Sequence, residues 1–167
     1  MTPAVKDDDV QCLFLEAMRR YLDEKEYILK NVKMLKENCL ETAPLETQIE
    51  DVLREMEITE KSIKQCIEDN ASAAISQEEC RIRYDHLYDR FQNLEKKKAG
   101  LESKLGKVQI EIASMEELIA CLENLEETPM ELDPMLWRIL VDKAMVTSND
   151  TIRFIMAGGL EYEFSLY

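Results

Sequence analysis

Glycine and proline are scarce in this chain, at four residues each among 167, so few positions can break a helix and long helices are expected. Aromatic residues make up 7 %, too few for a thick globular core. The single histidine, His86, leaves little for acid–base work near neutral pH. Of the five cysteines, Cys12, Cys39, Cys66, Cys80 and Cys121, no two have the Cys-x-x-Cys spacing of a zinc or redox motif. Odd in number and scattered, they read as small apolar residues in a reducing compartment. Positive charge is also short: 21 Lys and Arg stand against 35 Asp and Glu, for a net charge of −14. That balance argues against broad contact with a phosphate backbone, and the acidic excess is expected on solvated helix faces. No apolar run approaches the length that spans a bilayer, and Met1-Thr-Pro-Ala-Val-Lys-Asp-Asp-Asp lacks the apolar region of a secretory signal. A cytoplasmic protein with no membrane partner is the expectation.

What the chain does have is a long apolar seam. Tyr84, Leu87, Phe91, Leu94, Lys98, Leu101, Leu105, Val108, Ile112, Met115, Ile119 and Leu122 follow one another by alternating steps of three and four, and Lys98 alone is not apolar. Such a stripe needs a partner helix. Ile28, Val32, Leu35 and Cys39 begin a second seam, continued by Leu45, Ile49, Val52, Met56, Thr59, Ile63 and Cys66. Thr42-Ala43-Pro44 interrupts it with a step of three where four is due, a stammer that predicts a kink or short break near Ala43. Between the two seams, Asp69 to Ile75 is rich in small residues, and Ser76-Gln77-Glu78-Glu79 has the capping-box pattern that opens a new helix. The chain should turn back there.

The expected fold is therefore mainly α: a long antiparallel two-helix coiled-coil hairpin spanning 28–127, with its tip near 70–77, on a small α+β base. The base joins a helix within 1–27 to a short helix and a three-stranded antiparallel meander within 128–167. Asp7-Asp8-Asp9 offers an N-terminal cap for the first helix, whose broad face of Val10, Leu13, Phe14, Ala17, Met18, Tyr21 and Leu22 is wider than a coiled-coil stripe. Asp133-Pro134 pairs a cap with proline at the first helical position, opening a helix through Val141. Strands follow at Ala144–Thr147, Thr151–Met156 and Leu160–Leu166, with turns at Ser148-Asn149-Asp150 and Ala157-Gly158-Gly159. Three short strands are marginal alone, and the first helix is the element at hand to cover them. Phe14, Met18, Trp137, Phe154 and Tyr162 are the residues expected to pack that base.

Residues that carry chemistry are few. His86 lies between Asp85 and Leu87, but no nucleophile or third orienting group accompanies it by spacing. Adjacent acids such as Glu78-Glu79 and Glu116-Glu117 resemble catalytic carboxylates by type alone. No glycine-rich loop precedes a helix, and Lys96-Lys97-Lys98 is a short basic run among acids. No catalytic residue, cofactor site or metal site is assigned. Protein contact is expected at the hairpin's tip, at Ile75, Ser76, Glu79, Arg83 and Tyr84.

Three stretches together resemble the C-terminal region of the large serine site-specific recombinases of bacterial mobile elements. Val5-Lys-Asp-Asp-Asp-Val-Gln-Cys-Leu-Phe-Leu-Glu-Ala-Met18 is similar to the segment that follows that family's zinc ribbon. Ala74-Ile-Ser-Gln-Glu-Glu-Cys-Arg-Ile-Arg-Tyr-Asp85 resembles its coil-tip segment. Leu136-Trp-Arg-Ile-Leu-Val-Asp-Lys-Ala-Met-Val146, with Thr151-Ile-Arg-Phe154 and Gly158-Gly-Leu-Glu-Tyr-Glu-Phe164, looks like its closing helix and strands, the most specific of the three. No position matches the family's catalytic serine or arginines, and no cysteines match its ribbon ligands. The resemblance implies a non-catalytic C-terminal piece whose coiled-coil arm contacts other recombinase subunits in synapsis and in control of direction. It would reach DNA only through domains absent here, and homo-oligomers are a further expectation. The other reading is a coiled-coil scaffold or prefoldin-like chaperone hairpin that oligomerises through Leu160, Tyr162 and Phe164 of its strands.

Overall fold

Few helix breakers and a persistent apolar period favour helix along most of the chain. The computed structural model describes residues 7–72, 75–147 and 151–166. Among these, the elements run α1 (Asp7–Asp23), α2 (Lys25–Cys39), α3 (Ala43–Ala71), α4 (Gln77–Asn124) and α5 (Pro134–Leu140). Three strands follow, β1 (Val141–Val146), β2 (Thr151–Met156) and β3 (Glu161–Ser165). The protein is thus mainly helical with a small three-stranded antiparallel sheet. The turn expected at Ser148-Asn149-Asp150, and Ala73-Ala74 of the expected tip, lie outside the described residues. Contacts divide the chain into unit 1, Met1–Leu40 with Glu111–Tyr167, and unit 2, Glu41–Ile110. Ile28, Val32, Leu118 and Leu122, read from sequence as shaft or left off the seam, thus belong to the core that contains α1 and the sheet.

The interruption around Ala43 is a break between helices. α2 stops at Cys39, and α3 begins at Ala43 with Pro44 in its first turn, where the missing N–H costs no helical bond. The Thr42 carbonyl accepts from the Leu45 and Glu46 N–H groups, both at 3.0 Å.

Unit 1 is built on β2, the central strand of the order β1-β2-β3. Its residues alternate strictly, so Ile152, Phe154 and Met156 are buried on one face. Phe154 meets the rings of Phe14 in α1 at 6.3 Å, Trp137 in α5 at 6.0 Å and Phe164 in β3 at 6.1 Å. Phe14 and Trp137 lie closer still, with centroids 4.8 Å apart. Met18 and Tyr21 complete the buried face of α1, and Leu140 is buried at the end of α5. On the surface between α2 and α4, Lys33 pairs with Glu123 at 2.5 Å and Lys36 with Glu116 at 2.6 Å. Exposed pairs of this kind contribute about 1 kcal/mol or less.

α5 opens as its sequence dictates: the Asp133 carboxylate accepts from the Met135 N–H at 2.8 Å, with Pro134 at the first helical position. It ends earlier than its apolar run suggests, and β1 begins earlier than the expected Ala144. Val141 is already extended (φ −114°, ψ 112°) while its N–H still donates to the Trp137 carbonyl. Helix thus passes to strand without a loop, and a register shift between Val141 and Lys143 absorbs the change of direction.

Between β2 and β3 the Gly159 N–H donates to the Met156 carbonyl at 2.9 Å. Gly158 and Gly159 have φ of +88° and +85°, a conformation that favours glycine. The Tyr21 hydroxyl, fully buried, donates to the Ala157 carbonyl in this turn at 2.7 Å, tying α1 to the hairpin.

The burial of that phenol has a pH consequence. Burial, with the Tyr162 phenol and Asp142 adding to it, raises the Tyr21 phenol far above its ordinary value. The Tyr162 phenol is pushed up to about 12, first by burial and then by the Glu24 carboxylate. Unfolded tyrosine ionises near pH 10, so this stabilisation is complete below about pH 10 and is lost as pH rises through the folded values. The loss amounts to at most about 1.4 kcal/mol per pH unit for a fully buried phenol, and less for the partly exposed Tyr162. Urea titrations followed by Trp137 emission should show the unit 1 midpoint falling between about pH 10 and pH 12. Tyr21→Phe should flatten that slope while lowering stability by about 1–3 kcal/mol at neutral pH, because Ala157 loses its donor.

Candidate interaction site

In unit 2 the seams of α3 and of α4 up to Ile110 bury a narrow core. Val52, Leu94 and Leu101 are buried, with Leu45, Ile49 and Met56 packed against them. Thr59 is also buried, and its hydroxyl donates to the Glu55 carbonyl at 2.8 Å, so the polar seam position is satisfied within its own helix. Lys98, the one charge in the seam, is half-buried and pairs with Glu102 at 3.4 Å. Between α3 and α4, Arg90 pairs with Glu55 at 3.6 Å and Arg83 with Asp69 at 3.4 Å.

The expected contact residues take distinct places. Ser76 caps α4, its hydroxyl accepting from the Glu79 N–H at 3.2 Å, which is one half of a capping box. Its role is thus structural as well as surface-facing. Ile75 is half-buried, and Glu79 is exposed. Arg83 is held by Asp69 across to α3. Tyr84, a seam residue, is 37 % exposed and stacks on Tyr88, with centroids 6.1 Å apart and planes 9° from parallel. The side chains of Ser76, Glu79 and Arg83 share one groove of about 680 Å³, which also takes in Glu78, Ile82 and His86. Ile75 and Tyr84 do not line it. Sequence reasoning passed over Ile82, which is 58 % exposed, and Ile67, which is 53 % exposed. The signal was available, since each is a large apolar residue off its seam in a charged stretch. The walls of this groove come from one helix and its cap, so it lacks the enclosure that substrate binding favours. Arg81 hydrogen-bonds the Glu78 carboxylate and holds it below the usual carboxylate range, leaving it ionised.

The five residues expected to pack the base all lie in unit 1. Phe14, Met18 and Phe154 are buried, while Trp137 and Tyr162 are half-buried. The Tyr162 hydroxyl donates to Glu24 at 3.2 Å, and the Arg20 guanidinium lies 4.8 Å from the centre of the Phe164 ring. Smaller grooves of about 430 and 370 Å³ flank α5, one beside Val10, Leu132 and Trp137, the other beside Cys121, Met135 and Ile139. Among the described residues, no group of three or more His, Cys, Asp and Glu side chains is placed to hold a metal ion. No described helix is long and apolar enough to cross a membrane. The chain matches no family profile, no curated protein and no solved structure with which it was compared.

Proposed function

We propose that the chain is a non-catalytic C-terminal segment of a cytoplasmic DNA site-specific recombinase, and that unit 2 is the coiled-coil arm through which it contacts other recombinase subunits. In this reading the arm serves synapsis and control of direction, and DNA is reached only through other domains of the enzyme. α3 and the first part of α4 pair as an antiparallel hairpin. The pairs Glu55–Arg90 and Asp69–Arg83 support this, because the number rises along α3 as it falls along α4. The observation that carries the contact role is the apolar surface at the end of α3 and the start of α4. Ile67, Ile82 and Tyr88 are 53 %, 58 % and 46 % exposed. The likeness of Leu136 to Val146 and of Gly158 to Phe164 to the recombinases' closing signature adds the family. The strand-mediated scaffold reading has less to draw on, since Tyr162 and Phe164 are engaged by Glu24 and Arg20 of their own unit.

Sedimentation equilibrium of the full chain tests the contact role. Self-association should appear at high concentration and weaken by about ten- to a hundredfold in Ile82→Asp, the range that loss of one buried isoleucine gives. An unchanged Trp137 unfolding transition would show unit 1 intact in the variant. A strict monomer would overturn the proposal, and so would association that ignores Ile82→Asp and Tyr84→Ala.

A further inference from the structure

The cysteines that the sequence presents as scattered are not all apart in space. Cys66 in α3 and Cys80 in the first turn of α4 bring their sulfurs to 3.6 Å. Each thiol also lies 3.6 Å from the other residue's carbonyl oxygen, so the contact is reciprocal. Cys66 is fully buried and Cys80 half-buried. Cys12 and Cys121, by contrast, belong to unit 1. A disulfide needs sulfurs about 2.05 Å apart, so closure asks for a movement of roughly 1.5 Å, within reach of side-chain rotation.

We propose that Cys66 and Cys80 form a thiol-oxidation site, closed to an intrachain disulfide by a low-molecular-weight disulfide of the glutathione type. The more accessible Cys80 loses its proton, and its thiolate attacks one sulfur of the oxidant. That S–S bond breaks, and one glutathione thiolate leaves. The Cys66 thiolate then attacks the Cys80 sulfur and expels the second glutathione. The two protons given up by the protein thiols go to the two glutathione thiolates, so oxidised glutathione is reduced by the two electrons that the cysteine pair loses. Burial, followed by the hydrogen bond to Cys66, raises the Cys80 thiol, while the Arg83 charge works in the opposite sense. A raised thiol slows the first attack. Once closed, the bond joins α3 to α4 across the connection that holds Ile75 and the Ser76 cap. This inference is independent of the recombinase reading, since it rests on the sulfur geometry alone.

The test uses the full, natively folded chain. It is incubated with oxidised glutathione, quenched with acid, alkylated and digested with trypsin. A single tryptic peptide, Gln65 to Arg81, contains both cysteines and no internal cleavage site. It should appear lighter by two hydrogens and without alkyl groups, and dithiothreitol should restore double alkylation. In Cys66→Ala the reaction should stop at a glutathione adduct on Cys80. In Cys80→Ala modification of the buried Cys66 should slow by about tenfold or more, as its accessibility dictates. The wild-type result stands by itself if a variant fails to fold. A wild-type peptide that stays doubly alkylated, keeps a stable glutathione on Cys80, or is linked to a second chain would overturn the proposal.

Discussion

Phe154→Ala should lower the stability of unit 1 by about 3–5 kcal/mol, the range for truncating a fully buried phenylalanine. Phe154 is 0 % exposed and occupies the middle of the central strand. The rings of Phe14, Trp137 and Phe164 surround it at 6.0–6.3 Å, so no single neighbour can collapse into the space without leaving another. Loss of the edge-on contacts with Trp137 and Phe164 adds to the cavity term. Against a typical stability of about 5–15 kcal/mol for a whole domain, such a change removes much of what unit 1 has. The only tryptophan of the chain touches the altered site, so urea titration followed by its emission reads the effect directly. A midpoint within about 1 kcal/mol of wild type would show that the aromatic cluster is not the centre of this core.

Val52→Asp should be nearly as severe in unit 2. Val52 is 1 % exposed and packs with Leu94 and Leu101. A carboxylate there is taken out of water among apolar side chains, which should cost about 3 kcal/mol or more. Burial raises the folded-state pKa of the introduced acid above its unfolded value of about 3.9. The penalty is then full at neutral pH and eases as pH falls through that raised value, so helix should partly return near pH 4–5. Far-UV circular dichroism measures the loss, and Trp137 emission reports separately on unit 1. The adjacent Leu53 is 45 % exposed, so Leu53→Asp should change stability by only about 0.5 kcal/mol. Equal behaviour of the two neighbours would contradict the placement of the seam.

The features legible in the sequence were those fixed by local chemistry. Asp133-Pro134 caps α5, Ser76 caps α4, the Thr42-Ala43-Pro44 interruption separates α2 from α3, and Gly158-Gly159 turns between β2 and β3, each from residues within one turn of the chain. The three-four spacing likewise located Val52, Leu94 and Leu101. Features decided by distant parts of the chain were harder to read. Leu118 lies off the seam yet is buried, because in unit 1 α4 meets a core broader than one helix. Leu35 lies on the seam yet is 44 % exposed. Val141 reads as the end of an apolar helix, and only pairing with Met156 makes it a strand residue. The Cys66–Cys80 contact depends on how α3 and α4 face one another, which the spacing of each helix alone does not specify. The same seam arithmetic, carried back from Tyr84 by one step of four, does arrive at Cys80. In the groove, the sequence points to Ser76, Glu79 and Arg83 but not to Ile82, which lies off the three-four seam.

The hydrogen bond from Tyr21 to Ala157 spans 136 positions of sequence. Its partners therefore leave the ribosome well apart: at about 5–20 residues per second, the carbonyl follows the phenol by roughly 7–27 seconds. During that interval Phe14, Met18 and Tyr21 have been made but the strands that bury them have not. Unit 2, a continuous stretch from Glu41 to Ile110, has all its own contacts available first. The order of synthesis thus makes α1 the segment that waits longest with its apolar face uncovered, and so the one most in need of protection in a newly made chain.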